Sequence, residues 1–299
     1  MGHRQRQRPA VERGRPPLFE LLRLGAGVLG TAGAAGLAGA LPAGRARGHR
    51  RRRQRSTGGS ALMGLLMSLA LAAAATQPAC APDALGTSRT LTLPREAAAW
   101  GTAQHAALPA LAPKEVVLTF DDGPRPESTP LVLKALAEQC VQASFFMNGA
   151  PLQAHAELAR RVRDAGHSVG MHGFRHEHFP QLSPAAQLAD LDAMTAAYRA
   201  VLGSEPPAWR FPFLEETPTL LAALRERAIT VMSVDAGAED WLPDQTPQML
   251  ADKLLGQLAK SGGGIVLLHD AQDQTARALP FLLQQLKANG YRVVHLRWQ

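Results

Sequence analysis

The sequence predicts an α/β fold in which a parallel sheet, covered by helices, closes or nearly closes into a barrel. Three observations predict it. Short runs of β-type composition alternate with longer runs whose apolar residues recur at helical spacing. The alternation repeats seven times within about 185 residues, which suits one barrel better than two domains. Polar side chains gather at the ends of the β-type runs, where parallel barrels carry their chemistry.

In order, the β-type runs are VVLTF (116–120), ASFFM (143–147), HSVGMH (167–172), WRFPF (209–213), ITVMSV (229–234), GIVLLH (264–269) and YRVVHL (291–296). Between them, 151–164, 184–202, 217–227, 246–259 and 273–289 read as helices, with Leu188, Leu191, Met194 and Tyr198 on one face. Ser183-Pro184 and Thr246-Pro247 read as N-caps followed by Pro at the first helical position, and Gly166 and Gly290 as helix stops.

Ahead of the barrel, residues 82–113 are rich in Ala, Thr and Pro without clear periodicity and read as a linker, so that the domain spans 114–299. Residues 1–81 read as a basic leader and export signal. Thirteen arginines against Glu12 and Glu20 in residues 1–60 give a local charge of +11, which leaves −4 of the total +7 for the rest. The basic balance therefore belongs to the leader. No aromatic interleaving or nucleic-acid-binding motif accompanies it, so nucleic acid is not an expected partner.

The apolar stretch ALMGLLMSLALAAAA (61–75) follows RRRRQR (50–55) and is short for a membrane span, the order of a secretory signal. The small residues around Ala79-Cys80-Ala81 offer either cleavage after Ala81 or a lipidated Cys80. Residues 1–49 are either a misassigned start or a first anchor at 17–43. The expectation is a monomer exported to the periplasm, cell envelope or medium, touching membrane only through the signal or a lipid anchor. With Cys80 cleaved off or lipidated, Cys140 has no partner and reads as a small buried hydrophobe at a helix end.

The chemistry begins at Thr119-Phe120-Asp121-Asp122-Gly123-Pro124, at the end of the first run. A lone Asp-Gly-Pro is as readily a turn with a capping Asp. Adjacent carboxylates, however, repel unless a cation or a shared proton separates their roles, which suggests one metal ligand and one base. The third run ends at His172, and His176 follows in HGFRHEH. Imidazoles four residues apart can converge on one ion, and with one Asp they leave a position open for water. His178 is the rival ligand. Arg210 sits between large apolar neighbours and, if buried, must be paired, either structurally or with a catalytic carboxylate. The fifth run leads to Asp235 and then Glu239-Asp240-Trp241, and the sixth ends at His269, the position of a general acid beside an apolar wall and a tuning carboxylate.

These five segments, in this order, resemble those of the polysaccharide deacetylase family, carbohydrate esterase family 4, which includes chitin, chito-oligosaccharide and peptidoglycan deacetylases. The resemblance covers Val116 to Leu296, and TFDDGP (119–124) and LLH (267–269) match unchanged. It implies an irregular (β/α)7 barrel, a distorted form of the TIM barrel. It also implies a metal-dependent hydrolase that removes N-acetyl groups from amino sugars of a polysaccharide.

By the same resemblance, Asp121 is the base, and Asp122, His172 and His176 hold the metal. Arg210 orients Asp121, the Phe213 backbone N–H helps hold the oxyanion, and Asp240 tunes the acid His269. Trp241 and Leu267 form the pocket for the acetyl methyl. Zn²⁺ is the default ion, with Co²⁺, Ni²⁺ or Mn²⁺ able to take similar ligands. An O-acetyl ester or small amide would suit the same site, whereas an inactive glycan-binding module would need neither base nor acid. Three departures from the family pattern stand out: Met171-His172-Gly173 around the first His, Phe213 where many members carry Tyr, and the wide spacing of Asp235 and Asp240. Asp240 keeps the tuning role because it stays beside Trp241.

Overall fold

Every strand pairing in residues 80–299, the part of the chain that the computed structural model describes, is parallel. The elements run β1 (Thr87–Leu93), β2 (Ala99–Trp100), β3 (Glu115–Asp121), α1 (Thr129–Glu138), β4 (Ser144–Met147), α2 (Gly149–Ala154), α3 (Ala156–Asp164) and β5 (Ser168–Met171). They continue α4 (Pro184–Leu202), β6 (Ala208–Trp209), α5 (Pro218–Glu226), β7 (Thr230–Met232), β8 (Ala236–Gly237), α6 (Pro247–Ser261), β9 (Gly264–His269), α7 (Asp273–Ala288) and β10 (Arg292–Trp298). Among the described residues no helix is long and apolar enough to cross a membrane. The leader, the apolar stretch 61–75 and the candidate anchor 17–43 lie outside them.

β3 is central. It pairs with β4 on one side and β9 on the other, and its lower end also meets β10. From β4 the ladder continues through β5 and β6 to β7. The ring closes by a change of partner within one short segment: Thr230–Met232 pairs with β6, and Ala236–Gly237 pairs with β9. This is the irregular α/β barrel expected. Strand alternation divides the core in two. Val116, Leu118 and Phe120 of β3 face the helices in the larger apolar cluster, while Val117 joins Phe146, Ala208, Met232 and Ile265 inside the barrel.

The caps behave as the sequence predicts. Ser183 and Thr246 accept from the backbone N–H groups of Ala186 and Met249, and the expected stops Gly166 and Gly290 take left-handed φ of 89° and 76° just past α3 and α7. Gly203 and Gly262, not singled out in the sequence, end α4 and α6 in the same way. Two helical boundaries differ. The expected helix 151–164 is divided at His155, whose φ of −122° breaks it into α2 and α3. Helix α1 occupies a stretch where no helix was expected, with Pro130 in its first turn. The expected strand 209–213 is only Ala208–Trp209, because the chain turns at Pro212.

The largest correction concerns residues 82–113, which are not a linker. TSRTLTL alternates in exposure and forms β1, which pairs with β10 from Thr87↔Val293 to Leu93↔Trp298. Arg89 seals this edge with two bonds, of 3.0 and 2.6 Å, to the buried Glu115 carboxylate. β2 adds to β7.

Cys140 is not unpaired either. It forms a disulfide with Cys80, with Cα atoms 5.8 Å apart. A sulfur in that bond cannot carry a lipid thioether, and cleavage after Ala81 would discard it. Any cleavage that leaves the bond intact would have to fall upstream of Cys80.

Closing a loop with a sequence separation of 60 removes about 4 kcal/mol of unfolded-state entropy. Cys140→Ser should lower unfolding free energy by about that much in urea titrations, and dithiothreitol should lower the wild type to the same level.

A buried histidine pair sets acid sensitivity. His167 Nδ1 accepts the Ala143 N–H at 3.1 Å, which requires the neutral ring. Burial, helped by nearby His295, pushes His167 from 6.5 down to about 4, and burial with Arg297 does the same to His295. The folded pKa lies below the unfolded one, so the domain binds fewer protons folded and weakens as pH falls from 6.5 to 4. The loss is on the order of 3 kcal/mol for His167. His167→Gln, which keeps an acceptor, should flatten that part of the stability–pH curve.

Candidate active site

Inward alternation along the strands places Asp121 at the top of β3 and His269 at the top of β9, paired across the ladder as Asp121↔His269. His172 follows β5 and Arg210 follows β6, and both side chains are buried. All four reach the C-terminal mouth of the barrel.

Arg210 has no exposure and spends its donors on fixed partners. Nη1 donates to Asp121 Oδ1 at 2.8 Å and to Thr119 Oγ1 at 2.7 Å. Nε and Nη2 donate to the carbonyls of Met232 and Ser233 at 3.0 and 3.2 Å. The guanidinium lies 4.3 Å from the Phe146 ring centre. The Arg210 main-chain carbonyl accepts from His172 Nδ1 at 2.9 Å, so the neutral ring carries its proton there and presents Nε2 as the ligand atom.

His172 Nε2 then lies 3.5 Å, and His176 Nε2 3.2 Å, from Asp122 Oδ1. The three ligand atoms fall within 4.8 Å of one another. An oxygen and two imidazole nitrogens in that compass, one ring locked from behind, fit a divalent cation with an open position. Asp122 and His176 both have left-handed backbone, at φ 77° and 56°, conformations that non-glycine residues rarely adopt. Burial pushes the Asp122 carboxyl up, but His269, His172 and His176 outweigh it and leave the group lowered. Burial, with His172, holds His176 down at about 4.

Opposite, His269 Nδ1 bonds Asp240 Oδ1 at 2.8 Å, and the His269 N–H donates to Asp240 Oδ2 at 2.8 Å. The Thr275 hydroxyl donates to the same carboxylate. Burial alone would lower His269, but Asp240, with Asp122 and Asp121 behind it, raises it to about 10. Trp241 stands edge-on to the His269 ring at 5.6 Å. With Leu214 and Leu267 it lines a cavity of about 170 Å³ that also exposes Asp121, Asp122 and the two ligand imidazoles.

Two candidates are placed elsewhere. His178 bonds Glu215 at 2.9 Å and stacks on Phe213 at 3.8 Å, apart from the ligand cluster. Asp235 accepts from Thr102 and from the Ile265 N–H, all at 2.6 Å, and so ties the N-terminal segment to β9. Asp270 escaped the sequence reading. It is buried beneath the Asp121-Asp122 turn, where it accepts the Gly123 N–H at 3.2 Å and the Thr129 hydroxyl, and burial raises it to about 7. Its signal was the His269-Asp270 dipeptide, an acid one residue beyond a strand end. Asn148 donates to Asp122 Oδ1 at 3.3 Å, a contact no motif announced.

A parallel α/β barrel with carboxylates and imidazoles gathered around one small cavity at the C-terminal strand ends is an architecture built to carry an active site. Residues 109–232 match the family model described as polysaccharide deacetylase. The chitooligosaccharide deacetylase of Bradyrhizobium sp. (strain ANU 289) is 31% identical over 198 residues, covering 60% of this chain and 88% of that protein. The chitin deacetylase of Colletotrichum lindemuthianum is 32% identical, covering 61% and 77%. Among solved structures, the Bdellovibrio bacteriovorus peptidoglycan deacetylase superposes with a TM-score of 0.63 at 30% identity, covering 73% of this chain and 61% of that one. The chain belongs to the polysaccharide deacetylase family.

Removing the guanidinium would strip the buried Asp121 carboxylate of its hydrogen-bonded partner. Arg210→Met should therefore cost roughly 3–5 kcal/mol of stability, read by urea unfolding at neutral pH. A loss below 1 kcal/mol would mean that water replaces the ion pair.

Proposed function

We propose that the protein removes N-acetyl groups from amino sugars of a polysaccharide such as peptidoglycan, a chitin-like polymer or poly-N-acetylglucosamine, releasing acetate with the help of a divalent metal. One observation carries the reading. An arginine-held carboxylate and an aspartate-held imidazole face each other across an Asp-His-His donor set, over a small cavity walled by Trp241 and Leu267.

Asp122, His172 and His176 hold the metal, Zn²⁺ by default. When bound, it supplies a Lewis acid that polarises the acetamide carbonyl and makes water more acidic. Asp121, aimed by its bond from Arg210, takes a proton from the attacking water. The carbonyl carbon becomes tetrahedral, and the Phe213 N–H stabilises the oxygen that gains charge. His269, held protonated by Asp240, gives its proton to the departing amine. Leu267 and Trp241 receive the methyl group. Relatives carrying the same family domain are named as deacetylases of chitin, chitooligosaccharide and peptidoglycan, which supports an N-acetyl polymer as substrate.

Export accords with this function. The basic run 50–55, the apolar run 61–75 and a disulfide at Cys80, a bond kept in oxidising compartments, all support it. Cleavage then falls upstream of Cys80.

Purified protein should release acetate from N-acetylglucosamine oligomers, lose that activity with chelator, and regain it with Zn²⁺ or Co²⁺. Asp121→Asn should lower turnover on the order of 10²–10⁴-fold with metal content near one per chain, and His172→Ala should lose both. Release from acetyl-xylan but not from the oligomers would move the assignment to esters.

A further inference from the structure

We propose that Gln104, in a segment upstream of the family match, is a positioning residue for the loop that carries Phe213. The proposal rests on the deacetylase reading of the site. That loop follows β6 and contains two consecutive left-handed residues, Phe213 at φ 54° and Leu214 at φ 56°. Such backbone persists only when its surroundings impose it. Within the loop, Leu214 N–H donates to Phe211 and Glu215 N–H to Pro212, both at 3.0 Å. These bonds close the turn without fixing where it sits.

The segment Gly101–His105 supplies the fixing. Gly101 passes so close to Ser233 and Val234 that an added Cβ would lie 2.4 Å from the Ser233 carbonyl carbon. From that anchor, Gln104 Nε2 donates to the Leu214 carbonyl at 2.7 Å, and its Oε1 accepts the Ser233 hydroxyl at 2.8 Å. His105 Nε2 meets Glu216 Oε1 at 2.6 Å, two residues further along the same loop. Ala103 packs against Leu214, Val234 and Leu267 at the pocket floor.

Ser233 is therefore shared: its carbonyl takes Arg210, which aims Asp121, while its hydroxyl takes Gln104. One amide side chain thus references the Phe213 loop to the same residue that references the base. Residues 109–232 carry the family match, so this strap lies in the segment that precedes it.

Gln104→Glu keeps the size and the acceptor for Ser233 but loses the donor to Leu214, and Gln104→Asn is one methylene too short to span both partners. Both should exchange the Leu214 and Glu215 amides about tenfold faster by hydrogen–deuterium exchange. They should also lower kcat by roughly ten- to a hundredfold while KM stays within about threefold. Metal content and the global unfolding midpoint should stay at the wild-type level. Unchanged exchange at those amides, or a kcat loss that merely follows lost metal or lost stability, overturns the strap. Should the wild type release no acetate from any substrate, the deacetylase reading fails, and the exchange rates still decide the strap.

Discussion

A fully buried guanidinium is the constraint on which the rest of the barrel mouth depends. Taking Arg210 out of water is tolerable only if every donor finds an acceptor and a carboxylate lies alongside. That demand brings β3, β6 and the end of β7 to one level, because Asp121, Thr119 and the Met232 and Ser233 carbonyls must all meet it. Carbonyls turned toward the arginine are lost to the neighbouring strand. The ladder of β7 stops at Met232 and resumes on the other side as β8. The same residue also holds His172 through its main chain. Asp121 and His172 are therefore placed by opposite ends of one amino acid.

The Asp122, His172 and His176 cluster adds a second layer of constraint. Asp122 and His176 project from left-handed backbone, and Asp270 holds the first of these turns from below through the Gly123 N–H. The carboxylate and imidazoles thereby converge without the strands themselves having to bend. Across the cavity the His269–Asp240 pair is anchored twice, through ring and backbone.

Much of this was legible in the sequence because strand alternation and chain order are one-dimensional facts. Once a strand's inward parity is known, Asp121 and His269 must point into the mouth together. Other features depended on contacts that no local pattern reports. The alternation of TSRTLTL is clear in the fold, yet serine and threonine occupy its exposed positions, and its half-buried side carries Thr87 and Arg89 beside Leu91 and Leu93. Composition therefore read it as a linker. β6 shrinks to two residues because Arg210 and Pro212 take the chain out of the ladder. The pairing of Cys80 with Cys140 spans two elements that only the closed sheet brings together. Asp240 could be chosen over Asp235 from its tryptophan neighbour, but the work of Asp235, joining Thr102 to Ile265, was invisible until the N-terminal segment had a place.

The disulfide also gives the domain a direction. Cys140 lies between α1 and β4, at the end of the barrel where the strands begin, and β1 starts beside it through bonds from Gly86 and Thr87 to Gln139 and Cys140. Because all strands run the same way, the catalytic mouth is at the other end. The bond therefore braces the closed base of the barrel, and the residues of the mouth are left to be held by their own hydrogen bonds, Arg210 to Asp121 and Asp240 to His269.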